Sequence, residues 1–228
     1  MKKIFLFGIA CLLSTAIAFA QENRSFNLSG FDKLAMGSAF KIDVKQGNQF
    51  SVTASGQSSD VKELEAKVVS GVLKIGYRGN NWNKNRKTVQ INITMPSLEA
   101  VDFSGASKAQ VGDFPNSKTM AIEVSGASSV NMNFTAPKVS FELSGASSLT
   151  ITGKTDVLNG EVSGASSFKG ENFPAKEVNI EASGASSAYV LANASIRADA
   201  SGASRIRYGG NVKDIHSNTS GASSVKRD

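Results

Sequence analysis

The chain has 228 residues, with 25 Lys or Arg against 19 Asp or Glu and a formal charge of +6. That balance is modest, and the basic residues are not gathered into an aromatic-rich patch, so a nucleic-acid partner is excluded. A single cysteine, Cys11, and a single histidine, His216, leave no material for a disulfide framework or a Cys-based metal site.

The first residues read as a targeting segment. Met1-Lys2-Lys3 is a short basic region, Ile4 to Ile17 is mostly apolar, and Ala18-Phe19-Ala20 is an A-x-A cleavage signal before Gln21. The apolar run is shorter than the ~20 residues a membrane-spanning helix needs. No later segment is apolar enough to span. Residues 1–20 are therefore expected to be a signal peptide cleaved after Ala20, and the product to be exported to the periplasm or cell surface with no transmembrane segment. Cys11 comes too early in the apolar run to be a lipid anchor, so it reads as a leader residue. Without the leader, 23 basic side chains face 19 acidic ones, a charge of +4.

Residues 21–100 read as strands. Phe40, Ile42 and Val44 alternate with polar residues, as do Phe50 and Val52, then Leu73, Ile75 and Tyr77, then Val89, Ile91, Ile93 and Met95. One short helix is expected over 59–68, where Ser59-Asp60 precedes Val61, Leu64 and Val68 at helical spacing. The loop from Asn80 to Lys87 carries Trp82, the only tryptophan. Its indole either stacks on a sugar ring or folds back onto an apolar edge of the protein, and the second reading is the commoner fate of a loop tryptophan.

From residue 101 the chain is a repeat. Ser-Gly-Ala-Ser begins at Ser104, Ser125, Ser144, Ser163, Ser183, Ser201 and Ser220, with gaps of 21, 19, 19, 20, 18 and 19 residues. A near-constant period of this length marks stacked units that bury one another's apolar faces. The expectation is an all-β fold, a β-solenoid of about seven regular coils after irregular N-terminal strands, with residues 21–228 forming one domain. Each SGAS is a corner, with Gly105, Gly126, Gly145, Gly164, Gly184, Gly202 and Gly221 supplying a turn that a Cβ would obstruct. Pro115, Pro137 and Pro174 fall in a looser return segment, where no ladder donor is required.

Alignment on the first serine of each corner separates inward from outward columns. The residues one before (Phe103, Val124, Leu143, Val162, Ala182, Ala200, Thr219) and five after (Ala109, Val130, Leu149, Phe168, Ala188, Ile206, Val225) are mainly apolar and face inward. Three before stand Val101, Ile122, Phe141, Gly160, Ile180, Ala198 and Ser217, so the core tapers and turns polar at the last rung. That taper protects an open edge, although self-association through the C-terminal edge stays open.

Two residues before each corner stand Asp102, Glu123, Glu142, Glu161, Glu181, Asp199 and Asn218. Stacked coils put these carboxylates one strand spacing apart, ~4.7–4.9 Å, where neighbours repel by roughly 1 kcal/mol in water and by more at lower dielectric. An offset is needed: serine hydroxyls, corner N–H groups, adjacent basic residues, bound cations or a ligand. The column is either a solvated, protective face or a surface for divalent cations or a hydroxyl-rich polymer.

Catalysis finds little support. Adjacent carboxylates could meet the spacing of a retaining glycosidase, but an acid/base pair needs two different environments, and a uniform ladder repeats one. His216 lies outward in the last coil without an evident partner, so the serines lack a histidine base. No cofactor motif is present.

The SGAS corners, the segment Val101-Asp102-Phe103-Ser104-Gly105-Ala106-Ser107 and the upstream order Phe40–Val44, Gly71–Ile75 and Val89–Pro96 resemble the auto-transporter adhesin head GIN domain family of Gram-negative bacteria. The resemblance covers nearly all of residues 21–228. It implies a right-handed β-helix-like fold, export and an adhesin-like role, and it carries over no catalytic or ligand residue. The expected function is a non-catalytic binding module for a glycan, surface polymer or envelope protein, the alternatives being a structural envelope scaffold and, remotely, a polysaccharide-active enzyme.

Overall fold

The alternation of apolar and polar residues is realised as strands whose inward side chains share one core. The computed structural model of the chain describes residues 21–79 and 85–228, so the expected leader with Cys11, and Trp82, lie outside the described residues. Early strands are β1 (Gln21–Phe26), β2 (Lys33–Met36), β3 (Lys41–Gln46), β4 (Ser51–Gln57), β5 (Leu64–Val69), β6 (Val72–Tyr77) and β7 (Gln90–Met95). Helix α1 spans Ser58–Lys62. The regular coils hold β8 (Ala100–Phe103), β9 (Lys108–Phe114), β10 (Met120–Val124), β11 (Ser129–Leu143), β12 (Ser148–Val162), β13 (Ser167–Ala182), β14 (Ser187–Ala200), β15 (Arg205–Gly209), β16 (Asp214–Thr219) and β17 (Ser224–Arg227).

Pairing that is antiparallel for β1–β4, β4–β7 and β5–β6 and parallel elsewhere stacks these strands into a β-solenoid with two long ribbons that meet at the corners. Ribbon A runs β1-β4-β7-β3-β9, then the first halves of β11 to β14, then β15 and β17. Ribbon B runs β5-β6-β2-β8-β10, then the second halves of β11 to β14, then β16. All three predicted inward columns are buried through the coil of β14, and the last rung, with Ser217 and Thr219, is exposed. Where Gly160 replaces a large residue, the Phe141 ring fills the space; a Cβ there would lie 2.2 Å from that ring. Phe141 in turn stacks on Phe168 at 4.1 Å.

Each SGAS glycine takes φ between 70° and 77°, and from Ala127 onward each corner alanine N–H donates to the glycine carbonyl of the preceding coil, as Ala146 does to Gly126 at 2.7 Å. The coils thus touch backbone to backbone, with no room for a Cβ between them.

Four features differ from the sequence reading. Helix α1 is a single turn, because Leu64, Ala66 and Val68 also alternate and form β5, closed on β6 by Ser70 (φ 52°) and Gly71 (φ 76°). Hairpin pairing overrides the local helical spacing. Pro137 and Pro174 lie within the continuous strands β11 and β13 rather than in loose returns; Pro137 occupies the rung skipped between Ala136 and Lys138, where the missing N–H costs nothing. An additional corner, Gly37-Ser38-Ala39-Phe40, joins β2 to β3 with Ser38 and Ala39 at positive φ (78° and 61°), and it escapes detection because it lacks the SGAS letters. Finally, the winding is not sequential: β2 and β3 are inserted between β6–β7 and β8–β9, so the connection over 96–99 passes across an earlier coil.

Candidate functional site

The acidic residues fall on the outer surface of ribbon B. Register pairs Asp102 with Glu123, Glu123 with Glu142, Glu142 with Glu161, Glu161 with Glu181, Glu181 with Asp199, and Asp199 with Asn218. The ladder is therefore unbroken over six rungs, and it continues through Ala35 to Lys74. Parallel pairing without a shift along this segment keeps like residues opposite, which is the feature that makes the repulsion cumulative.

The offsets sit at the ends. Asn218 Nδ2 donates to Asp199 Oδ1 at 2.6 Å. Asp102 is half-buried, and desolvation raises its pKa, against the lowering pull of Lys74. The Glu123 carboxyl is also raised, first by the Asp102 charge, then by its own partial burial and by Glu142. Among the described residues, no side chain or backbone N–H donates to Glu123, Glu142, Glu161 or Glu181, and all four are exposed.

Serines expected to relieve this face are occupied elsewhere. The fourth residue of the corner points inward and is buried in six copies, from Ser107 to Ser204. Its hydroxyl serves backbone carbonyls: Ser147 Oγ donates to Val124 O at 3.1 Å, Ser186 Oγ to Val162 O at 3.0 Å and Ser204 Oγ to Ala182 O at 3.0 Å. The corner alanine N–H groups are likewise taken by glycine carbonyls and the first-serine N–H groups by carbonyls such as Val124 O. Only the first serine of each corner stays on the acidic side.

Those first serines line a trough with the acids. One depression of about 280 Å³ is formed by Glu161, Glu181 and Asp199 with Ser163, Ser183 and Ser201. Another of about 520 Å³ extends it past Glu123 and Asp102 to Lys74 and Lys33, and the two share Glu142 and Glu161. A third, of about 610 Å³, opens beside Asp102 and brings in Ser38, Tyr77, Arg86 and Lys87. Arg86 there lies 4.1 Å from the Tyr77 ring centre and 3.0 Å from Glu63 Oε2. Burial and the nearby Asp60 carboxylate push the Tyr77 phenol up to about 12. Sequence reading missed this cluster because its members come from β2, β6 and the connection to β7, and only the inserted coil brings them together.

Chemically the trough is a row of hydrogen-bond acceptors. Among the described residues, no group of three or more His, Cys, Asp or Glu converges to hold a metal ion. His216, expected to stand alone, has its Nε2 3.1 Å from Asp214 Oδ1, on the same outward side of β16. Both groups are exposed on the edge strand, so the pair is solvent-screened.

Among the described residues, no helix is long and apolar enough to cross a membrane. No curated protein matches the chain in sequence. Solved structures do match its fold. A crystal structure described as a putative adhesin from Bacteroides fragilis NCTC 9343 is 20% identical, covers 92% of this chain and 97% of its own, and superposes with a TM-score of 0.85. One from Parabacteroides merdae ATCC 43184, also described as a putative adhesin, is 13% identical over 91% of this chain and 96% of its own, with a TM-score of 0.71. One from Parabacteroides distasonis ATCC 8503, described as a putative lipid binding protein, is 18% identical over 91% and 96%, with a TM-score of 0.68. A family model described as "Putative auto-transporter adhesin, head GIN domain" matches residues 30–212, and the chain belongs to that family.

Proposed function

We propose that residues 21–228 act as one exported, non-catalytic binding module, and that the ribbon B trough receives a hydroxyl-rich surface polymer such as a glycan. The observation that carries this reading is the six-rung carboxylate ladder in a concave, serine-lined trough. Its four central acids receive no donor from the described residues. Sugar hydroxyls would supply donors to the carboxylates; Ser163, whose hydroxyl already donates to Leu143 O at 3.1 Å, would accept, while Ser183 and Ser201 would both donate and accept. Adhesin descriptions within the family and among the structural neighbours agree with a binding role. One neighbour is described as a lipid-binding protein; in this trough the carboxylates and first serines lie beside Val162, Ala182 and Ala200, and the row of acceptors favours a hydroxyl-rich ligand.

An enzymatic reading would have to use Asp102 and Glu123, where the ladder is least uniform: one carboxyl is half-buried and the other exposed. A scaffold role in the envelope draws on a different feature, the open parallel edge of β16 and β17.

A glycan-binding screen of residues 21–228 tests the proposal, run beside a variant with Glu123, Glu142, Glu161 and Glu181 all changed to Gln. Binding that drops at least about tenfold, ~1.4 kcal/mol, supports the trough as the site. Equal binding by both proteins removes it. Export is tested separately, by N-terminal sequencing of secreted protein for a start at Gln21.

A further inference from the structure

Ribbon A carries the opposite charge at its C-terminal end. Lys169, Tyr189, Arg207 and Lys226 occupy one outward column over four consecutive rungs in register. Arg205 stands two residues before Arg207, on the same rung and the same side. Asp228 and Glu171 are the carboxylates near this column. Asp228 accepts a bond from Tyr189 Oη at 3.0 Å and lies 3.8 Å from Arg207 Nη1, while Glu171 acts on Tyr189 through space. The four cations outnumber these two acids, so the face remains net positive. Ribbons A and B turn their inner sides to the same core, so the basic column and the acidic trough look out from different sides of the solenoid.

Both ladders belong to one stack, and their rungs therefore repeat at the same ~4.7–4.9 Å. Two such arrays stay in phase over every rung they share, whichever way the second copy runs. Long Lys and Arg side chains suit a concave acceptor, because their flexible stems let the charged head reach the trough floor. A rung-matched cation column is also the partner that relieves the accumulated carboxylate repulsion most directly.

We propose that the basic end of ribbon A in one copy seats in the acidic trough of ribbon B in a second copy. This rests on the trough being a binding face and names a second copy of the chain as its partner. The contact is heterologous: it leaves one trough and one basic face free at the two ends, so it propagates into a lateral array.

Sedimentation velocity of residues 21–228 provides the test. Between about 10 mM and about 1 M salt the screening length shrinks from ~30 Å to ~3 Å. Oligomers are expected at the low end and monomers at the high end. Two charge-reversed variants locate the contact, one carrying Arg205→Glu, Arg207→Glu and Lys226→Glu, the other Glu142→Lys, Glu161→Lys and Glu181→Lys. Each alone is expected to self-associate at least about tenfold more weakly, whereas an equimolar mixture recovers association because the reversed faces complement each other. A protein that stays monomeric at every salt concentration overturns the proposal, as does a mixture no better than its components. The basic-face variant keeps an intact trough, so its glycan binding stands or falls independently of self-association.

Discussion

Ser38 stacks directly on Gly105. A Cβ added to Gly105 would come within 2.8 Å of the Ser38 amide nitrogen, and Ser38 itself sits at φ 78°, the left-handed value that glycine takes at every later corner. The corner line therefore begins with a residue that pays a strain its successors avoid.

Corner geometry predicts opposite outcomes for two substitutions. Gly145→Ala meets both a left-handed φ of 73° and a Cβ only 2.5 Å from the Gly126 carbonyl oxygen. Left-handed backbone costs an L-residue ~1–2 kcal/mol and overpacking ~1–3 kcal/mol, so a loss above about 2 kcal/mol is expected in urea unfolding. Ser38→Gly relieves strain but adds unfolded-state freedom, and a gain of up to about 1 kcal/mol is expected. A neutral Gly145→Ala would refute the backbone-contact account of the corner.

The two serines of one corner are expected to differ. Ser147 is buried and donates to the Val124 carbonyl at 3.1 Å; Ser147→Ala should cost about 0.5–1.5 kcal/mol. Ser144 is half-buried on the trough side, and Ser144→Ala should stay within about 0.5 kcal/mol. Comparing the two denaturation midpoints decides which serine is structural.

Stability is expected to fall as pH rises through the carboxylate range. Asp102 and Glu123 have folded pKa values raised above their ordinary ones, so the folded state holds more protons than the unfolded state between the two values. Stability then declines with pH across that window, and the penalty is fully present at neutral pH and absent below it. Asp102→Asn should raise the melting temperature at pH ~7, with the gain vanishing near pH ~3, below the ordinary carboxylate values of ~3.9–4.3. Lys74→Met should do the opposite at neutral pH, because Lys74 lowers the Asp102 pKa. Melting curves taken across the range would exclude this account if Asp102→Asn shifted them equally at every pH.

Truncation at the two ends should not be equivalent. Removing residues 210–228 takes away β16 and β17, which pair on one side only, and cooperative melting should survive. Removing residues 21–46 takes β2 and β3 out from between their neighbours. The strands β6, β7, β8 and β9 then lose partners at once, and circular dichroism should show the folded signal lost rather than shortened.

The inward columns, the corner glycines and the acidic column could be read from residues 101–228 because all three depend on local rules: side chains alternate along a strand, and a repeat places like residues at like positions. Val124, Leu143 and Val162 are buried, Gly126 is left-handed, and Glu123, Glu142 and Glu161 face solvent in register. The upstream part was less legible. Val61, Leu64 and Val68 fit a helical period, yet Leu64 and Val68 pair in a hairpin with Tyr77 and Leu73. No letter pattern marks Ser38 as a corner, since its conformation is imposed by the coil stacked on it.

By itself, then, the amino-acid order determined the coil period, the faces of each strand and the sign of charge on ribbon B. Only the tertiary structure decided that Lys33–Gln46 is inserted between later coils, that Ser147 turns inward while Ser163 borders a trough, and that Lys169, Arg207 and Lys226 form an opposing ladder on another side. Each of these rests on which distant strands meet, and pairing between residues far apart in the chain is a property of the assembled stack rather than of any window of sequence.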